Sequence, residues 1–212
     1  MIVIGLQGKK RSGKDTFASF LVEHLKDKRV ARTAFANPLK QMLTDISGVD
    51  FFSEENKETN QVFTINLAKF KVITGLVLDE KDFHPIDEFA RMGVFDDLYI
   101  YSSKRKLMQF FGTDICRKYK GDLYWVNKLQ IPDTDVLIVT DVRFQTEVDK
   151  IKSLGGILVE IINPLIESTD THSSENAVLP SDWEVYNSGS LNDLDNAAYR
   201  FVYYTMRQNN YE

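Results

Sequence analysis

The sequence predicts an α/β fold in which helices cover both faces of a doubly wound parallel sheet of about five strands. Three observations support this prediction. Apolar, strand-like segments alternate along the chain with segments of helical periodicity. Residues 136–140 are apolar without alternation, which is typical of a strand buried on both faces of a parallel sheet. A glycine-rich turn also separates the first apolar segment from the first helix, and ligands of such sheets bind at turns of this kind.

The glycine-rich turn at residues 8–16 has the spacing G-x-x-x-x-G-K. Residues 1–4 predict a buried strand before it, and residues 16–25 predict a helix with one apolar face after it. Glycines let the backbone wrap so that its N–H groups point at phosphate oxygens, and Lys14 would reach the β- and γ-phosphates. We therefore interpret this turn, called the phosphate loop below, as a binding site for ATP or GTP. The alternative is a turn that only joins strand to helix.

The residue after Lys14 departs from the usual motif. It is Asp15 rather than Ser or Thr, and a hydroxyl follows one position later at Thr16. Since the usual hydroxyl binds Mg²⁺, we expect Mg²⁺ to be held by Asp15, by Thr16 or mostly through water. The G-K-x-T form is typical of kinases of small metabolites and nucleotides. Neither N-K-x-D nor a D-x-x-G after the second apolar run is found, so the sequence does not predict guanine specificity.

The first half of the chain continues with a strand at residues 29–35 and a short helix at residues 39–46 that ends at Ser47-Gly48. Residues 50–100 are the least regular stretch and include a helical run at 67–78. We interpret them as a helical, substrate-binding insertion.

The second half of the chain returns to strand and helix in alternation. Helices are predicted at 102–118, at 144–154 and from Ser190, where Asp193 completes a capping pair. Residues 157–162 predict a buried strand and residues 183–186 a weak one.

Composition limits the classes of protein that need be considered. The 212 residues are 43% hydrophobic, which suits one domain with the insertion at about 50–100 and a lid-like loop at about 163–180. The net charge of −5 argues against non-specific binding of nucleic acid. The single cysteine, Cys116, excludes an intrachain disulfide and is expected in the core. No apolar run is long enough to span a membrane, so we expect a soluble, cytoplasmic protein without a nucleic-acid or membrane partner.

Three segments would meet at the carboxyl ends of the strands, namely the phosphate loop and residues 36–38 and 141–143. Phosphoryl transfer to an acceptor that is already anionic needs positioning and positive charge rather than a general base. Asp141 would orient Mg²⁺ or its water, and the alternative is a helix cap. Arg143 would bind a phosphate or the substrate, and the alternative is a surface ion pair.

Further candidates lie outside these strand ends. Arg105 and Lys106 would clamp phosphates, or form a solvated helix face. Trp125 would stack on a base, or belong to the core. Of the three histidines, we expect His24 and His84 to be structural or exposed; the third, His172, lies in the late polar loop.

Several further motifs occur in order and span most of the chain: K-R-S-G-K-D-T at 10–16, Pro38 with Lys40, E-T-N at 58–60, L-M-Q-x-x-G-T-D at 107–114, Y-W-V at 124–126, D-x-R at 141–143 with Glu147, and T-H at 171–172. The combination resembles the deoxynucleoside monophosphate kinases of tailed bacteriophages. The resemblance implies a P-loop fold of the nucleoside-monophosphate-kinase type, ATP-dependent conversion of a dNMP to a dNDP, Mg²⁺ as cofactor and a possible homodimer.

The resemblance also implies roles for individual residues. The ATP phosphates would be held by Gly13, Lys14, Asp15 and Thr16, with Lys10 and Arg11 nearby. The acceptor nucleotide would be surrounded by Ala36, Asn37, Lys57, Arg105, Gly112, Thr113, Trp125, Asp141, Arg143 and Glu147. The groups expected to act in catalysis are Lys14, Arg11, Arg105, Arg143 and Asp141.

The chain departs from the family pattern in three places. Lys57 stands where an arginine is expected, and Phe144 where a polar residue is expected. The loop at 163–180 has no Lys or Arg, so the positive charge of a basic lid must come from Arg11, Arg105 or Arg143. Two other functions stay open: a kinase of another phosphorylated metabolite, such as dephospho-coenzyme A or phosphomevalonate, and an ATP-binding regulatory module that transfers no phosphate.

Overall fold

In the computed structural model, which describes residues 1–83, 90–92, 97–166 and 179–208, the chain folds into two compact units. The first unit combines residues 1–35 with residues 130–212, and the second consists of residues 36–129. The second unit therefore extends on both sides beyond the insertion predicted at about 50–100.

The strands, in chain order, are β1 (Ile2–Gln7), β2 (Val30–Thr33), β3 (Gln61–Asn66), β4 (Ala90–Met92), β5 (Asp97–Ser102), β6 (Val136–Val139), β7 (Ile157–Ile162) and β8 (Trp183–Tyr186). The α-helices are α1 (Lys14–His24), α2 (Asn37–Ser47), α3 (Leu67–Thr74), α4 (Lys104–Gln109), α5 (Lys118–Lys120), α6 (Gln145–Ser153) and α7 (Leu191–Gln208). A π-helix, Phe110–Arg117, joins α4 to α5, and 3-10 turns occupy Glu80–Phe83 and Val126–Lys128.

The first unit contains a five-stranded sheet in the order β2-β6-β1-β7-β8, with every neighbouring pair parallel. All four residues of β6 are buried, as their unbroken apolar run predicts. On one face of the sheet, Ile4 and Leu6 pack in a core with residues of α1 and α7. On the other face Gly5 lies against Ile151 of α6. The predicted doubly wound α/β fold is confirmed.

The order of the strands places a crevice at the carboxyl end of β1. From β1 the chain proceeds to β2 on one side of the sheet, and from β6 it crosses β1 to β7 on the other. The connection that leaves β1 and the connection that leaves its neighbour β6 run in opposite directions, which opens a binding crevice at the ends of these two strands. The phosphate loop begins there.

The second unit contains a three-stranded antiparallel sheet in the order β3-β5-β4, which the sequence analysis did not predict. Along β3, Phe63 and Ile65 are buried while Val62 and Thr64 are exposed. The buried side packs in a core with α2, α3 and the π-helix. The insertion is thus not wholly helical, and its helix α3 ends at Thr74, where Gly75 takes a left-handed φ of 71°.

Most other predicted elements are present with small shifts at their ends. Strands β7 and β8 span the predicted residues. Ser190 and Asp193 exchange the predicted capping hydrogen bonds before α7, with the Ser190 amide 2.7 Å from Asp193 Oδ2. Within the described ranges, no helix is long and apolar enough to cross a membrane.

Candidate functional site

The phosphate loop connects β1 to α1 and has three residues with positive φ: Gly8 at 136°, Arg11 at 63° and Gly13 at 101°. The loop closes on itself through a hydrogen bond of 3.1 Å from the Ser12 amide to the Lys9 carbonyl. A Cβ atom on Gly8 would lie 2.3 Å from the Ile161 carbonyl oxygen, so this position requires glycine for space as well as for conformation. Gly13 immediately precedes α1, so the loop leads into the amino end of a helix, where anions bind favourably.

The ammonium group of Lys14 lies across the loop. Its Nζ donates to the carbonyls of Gly8 and Lys9, each at 2.7 Å. These bonds hold a half-buried cation within the curve of the backbone. The arrangement concentrates positive charge where a phosphate chain would be bound, so Lys14 stays the candidate for contacting the β- and γ-phosphates.

Asp15 and Thr16 are in the first turn of α1 and differ in exposure. The Asp15 side chain is 86% exposed and lies 3.5 Å from Nη2 of Arg32, whose Nη1 donates to Ser19 at 3.1 Å. Thr16 is half-buried. A carboxylate and a hydroxyl are the oxygen donors that Mg²⁺ prefers, so the pair fits a magnesium ion that is also held by phosphates and water. In the part of the chain that the structure describes, no group of three or more His, Cys, Asp or Glu residues is arranged for a metal.

Asp141 lies just beyond the end of β6 and is hydrogen-bonded to the backbone just beyond the end of β2. Its Oδ1 accepts a hydrogen bond of 2.7 Å from the backbone amide of Phe35. Asp141 is half-buried at the carboxyl edge of the sheet. The structure places this carboxylate at the predicted edge of the sheet, and its role toward Mg²⁺ stays a prediction.

Glu147, predicted to contact the acceptor, caps helix α6. Its Oε2 accepts hydrogen bonds from the backbone amides of Arg143 at 2.8 Å and Phe144 at 3.2 Å, and the residue is only 3% exposed. The amino end of α6 is therefore capped by Glu147. Through this cap Glu147 fixes the backbone of Arg143, whose half-buried side chain is a candidate for phosphate binding.

Trp125, predicted to stack on a base, is a core residue of the second unit. It is 4% exposed, and its Nε1 donates to the Gly112 carbonyl at 2.9 Å. Gly112 belongs to the π-helix, and a Cβ atom there would lie 2.7 Å from Leu39 Cδ2. This arrangement exposes no ring face, so it favours the core role over stacking. Trp125 and Gly112, both predicted site residues, are nevertheless brought together, with half-buried Thr113 beside them.

Lys57 and Arg105 are also brought together, through their backbones. The Arg105 amide donates to the Lys57 carbonyl at 3.2 Å. The Lys57 ammonium is bound by the carboxylate of Glu54, at 2.7 Å from Oε2, so its charge is already compensated within the second unit. Arg105 is half-buried.

Lys104 has a role that the sequence analysis missed. It is buried, and its Nζ donates to the carbonyls of Ser53 and Glu55 at 3.4 and 3.1 Å. One residue of the basic run at 104–106 therefore holds the loop that carries Lys57. The other two, Arg105 and Lys106, keep their predicted status as candidate clamps.

The remaining candidates divide between the two units. Ala36 and Asn37 begin α2 in the second unit, where the Ala36 carbonyl accepts from the Lys40 amide at 2.9 Å. Lys10 and exposed Arg11 belong to the phosphate loop in the first unit.

The histidines are not part of this set of candidates. His24 is hydrogen-bonded to Asp195 at 2.7 Å between α1 and α7, which agrees with a structural role. His84, His172 and most of the lid-like loop predicted at 163–180 lie outside the described residues.

Asn187 is a second residue that the sequence analysis missed. It follows β8, and its Nδ2 donates to the Ser12 carbonyl in the phosphate loop at 2.9 Å. The available signal was a polar residue at the carboxyl end of the last predicted strand, where ligand-binding residues of such sheets collect.

Comparison with known proteins gives consistent results. The model of a family described as deoxynucleotide monophosphate kinase matches residues 101–198. A putative deoxynucleotide monophosphate kinase of Acanthamoeba polyphaga mimivirus is 29% identical over 194 residues, which cover 82% of this chain and 81% of the relative. The deoxynucleotide monophosphate kinase of Enterobacteria phage T4 is 27% identical over an alignment of 242 residues, which covers 92% of this chain and 95% of the relative. The deoxynucleoside-5'-monophosphate kinase of Escherichia phage T5 is 26% identical over 195 residues, which cover 76% of this chain and 78% of the relative.

The similarity extends over 92% of the chain and therefore involves both units. It agrees with the combination of motifs on which the resemblance was based. Over most of its length, the chain is similar to the deoxynucleotide monophosphate kinases of phages and a mimivirus.

Proposed function

We propose that this protein phosphorylates deoxynucleoside 5'-monophosphates, with ATP as donor and a dNDP and ADP as products. The observation that supports phosphoryl transfer is the phosphate loop with the Lys14 ammonium held 2.7 Å from two of its carbonyl oxygens. The names of the relatives support a deoxynucleoside monophosphate as the acceptor.

On the donor side, the amides at the start of α1 and the cations of Lys14, Lys10 and Arg11 would bind the ATP phosphates. The positive end of the helix and the ammonium act on the same oxygens, so their effects on the developing charge add. Mg²⁺, when bound with Asp15 and Thr16, supplies further neutralisation of the transferred phosphoryl group.

On the acceptor side, Arg143 would bind an anionic group of the nucleotide, and Arg105 is a separate candidate for the same task. Arginine suits this task because its guanidinium binds phosphate through two hydrogen bonds. Asp141 would orient the water or metal of the site. No catalytic base is needed, because the acceptor phosphate is already ionised at neutral pH.

Substrates of this kind are small and anionic, so we propose no nucleic-acid or membrane partner. We further propose that the enzyme acts in the cytoplasm of a host cell, and that it forms a homodimer.

The test is an ADP-release assay with ATP and Mg²⁺ against dAMP, dGMP, dCMP, dTMP and the matching ribonucleotides, with the diphosphate product identified by chromatography. Turnover of at least one dNMP is expected. ADP release without a nucleoside diphosphate, or no turnover with any nucleotide, would contradict the proposal. The same assay would then be repeated with dephospho-coenzyme A and phosphomevalonate, which are acceptors for the alternative metabolite kinases.

A further inference from the structure

Asn187 joins the end of the last strand to the phosphate loop. Its backbone amide donates to the Ile162 carbonyl at 2.7 Å, which fixes Asn187 to the end of β7. Its side-chain Nδ2 donates to the Ser12 carbonyl at 2.9 Å, across 175 positions of sequence. A half-buried side chain held at both ends in this way has little freedom to move.

The loop is shaped to admit this side chain. A Cβ atom on Gly13 would lie 2.4 Å from Asn187 Nδ2 and 3.6 Å from Leu194 Cδ2. Since real Cβ atoms do not approach polar atoms so closely, the absence of a side chain at Gly13 lets Asn187 reach the backbone. Gly13 therefore has two functions, the positive φ of 101° and the space for Asn187.

The hydrogen bond determines how the Ser12–Gly13 peptide is oriented. This peptide bond is trans, so its C=O and N–H point in opposite directions. Because Asn187 holds the Ser12 carbonyl on one side, the Gly13 N–H is directed to the other. The buried Ser12 Oγ of the same loop has no hydrogen-bond partner among the described residues.

We infer that Asn187 is a positioning residue for the phosphate loop: by fixing the Ser12–Gly13 peptide it orients the Gly13 N–H toward the phosphates of the nucleotide. The inference rests on the proposed function in one respect, namely that the loop binds ATP. Asn187 acts through this peptide and does not itself contact the reacting atoms.

The test compares Asn187→Ala with Asn196→Ala, which changes an exposed asparagine of α7 and serves as the matched control. Binding of the non-hydrolysable analogue AMP-PNP with Mg²⁺ is measured by calorimetry, and KM for ATP, KM for the acceptor and kcat are measured separately. Loss of one positioning hydrogen bond is expected to weaken AMP-PNP binding and raise KM for ATP by about 5- to 10-fold, with KM for the acceptor unchanged. Asn196→Ala should match the wild type.

A purely structural role would give a different pattern. It predicts a lower unfolding temperature for Asn187→Ala with AMP-PNP affinity within about twofold of the control, and that result would overturn the inference. If Asn187→Ala does not fold, Asn187→Asp replaces it, because it keeps the shape but places a carboxylate oxygen against the Ser12 carbonyl. Asn187→Asp should bind AMP-PNP still more weakly, and wild-type affinity in this variant would also contradict the inference.

The outcome is separable from that of the proposed function. If the wild type binds AMP-PNP but phosphorylates no deoxynucleotide, the proposed function is wrong and the binding comparison still decides the role of Asn187. If the wild type phosphorylates dNMPs and Asn187→Ala binds AMP-PNP as the control does, only the inference about Asn187 is wrong.

Discussion

The indole nitrogen of Trp125 donates a hydrogen bond to the carbonyl of Gly112 at 2.9 Å, inside the core of the second unit. In a π-helix the carbonyls are not aligned with the regular i→i+4 ladder, and such segments occur frequently at functional sites. The Trp125 hydrogen bond satisfies a carbonyl within this segment. It thereby stabilises the backbone that carries Thr113, a predicted acceptor-binding residue.

Trp125→Phe should therefore lower the free energy of unfolding by about 2 kcal/mol, because the buried Gly112 carbonyl loses a hydrogen bond and a small cavity is left. The measurement is thermal or urea unfolding, with Trp183→Phe as control because Trp183 is only partly buried in the first unit. A base-stacking role predicts the opposite pattern, with normal stability and a higher KM for the dNMP. That result would show that Trp125 stacks on the base of the dNMP.

Lys14→Ala should reduce kcat/KM by at least about 10²-fold, because the ammonium that offsets charge on the transferred phosphoryl group is removed. The fold should survive, since water can replace the ammonium at the carbonyls of Gly8 and Lys9. The comparison is with Lys26→Ala, an exposed lysine of the same unit. Activity of Lys14→Ala near that of Lys26→Ala would remove Lys14 from the reaction.

Arg143→Ala should cost at least about 10²-fold in kcat/KM if its guanidinium contacts the transferred or the acceptor phosphate. Its backbone amide would still donate to Glu147, so the cap of α6 and the unfolding temperature should change little. Arg200→Ala removes an exposed arginine of α7 and is the matched control. Kinetics close to those of the control would exclude a phosphate contact by Arg143.

Stability at low pH should depend on Asp182. Its burial alone would raise its pKa, but hydrogen bonds from the Leu158 amide and from Lys152 outweigh that effect, and the pKa is lowered. A carboxyl group whose pKa is lower in the folded state stabilises the fold above its unfolded pKa, and this contribution is lost as the pH falls through the folded value. The difference in unfolding temperature between wild type and Asp182→Asn should therefore shrink from about pH 6 to about pH 3.

The control for Asp182→Asn is Asp27→Asn, which makes the same change of charge at an exposed position of the first unit. Its difference from the wild type should be small over the same range. A difference for Asp182→Asn that stays constant with pH would show that the ion pair with Lys152 adds no stability.

The first unit could be predicted from the sequence because its signals are local. Unbroken apolar runs such as residues 136–139 identify buried parallel strands, and glycine spacing identifies the phosphate loop. The fold of the second unit was harder to predict from the sequence. Strand β3 does show the alternation of a strand, with Phe63 and Ile65 inside, but its partner β5 lies some thirty residues further on, and no local turn indicates the pairing.

The roles of individual polar residues depended on contacts between distant parts of the chain. Nothing in the sequence distinguishes the buried Lys104, which donates to two carbonyls, from the exposed Lys106 two positions later. Similarly, Glu147 was predicted to contact the acceptor but caps α6, because a side chain three residues into a helix can return to its amino end. The π-helix was missed because the change from i→i+4 to i→i+5 hydrogen bonds has no signature of its own in the sequence of so short a segment.

Cys116, predicted to be a core residue, is buried in the π-helix, and burial raises the pKa of its thiol to about 12. The thiolate is the reactive form, so at about pH 8 the folded protein should react very slowly with a disulfide reagent. One thiol per chain should react once the protein is unfolded in urea, since the chain has a single cysteine. The rate in the folded protein then measures local opening of the second unit.

Trp125→Phe should accelerate the reaction of Cys116 in the folded protein and Trp183→Phe should not, because Trp125 donates a hydrogen bond to this π-helix. Equal rates in the two variants would contradict the stabilising role of Trp125.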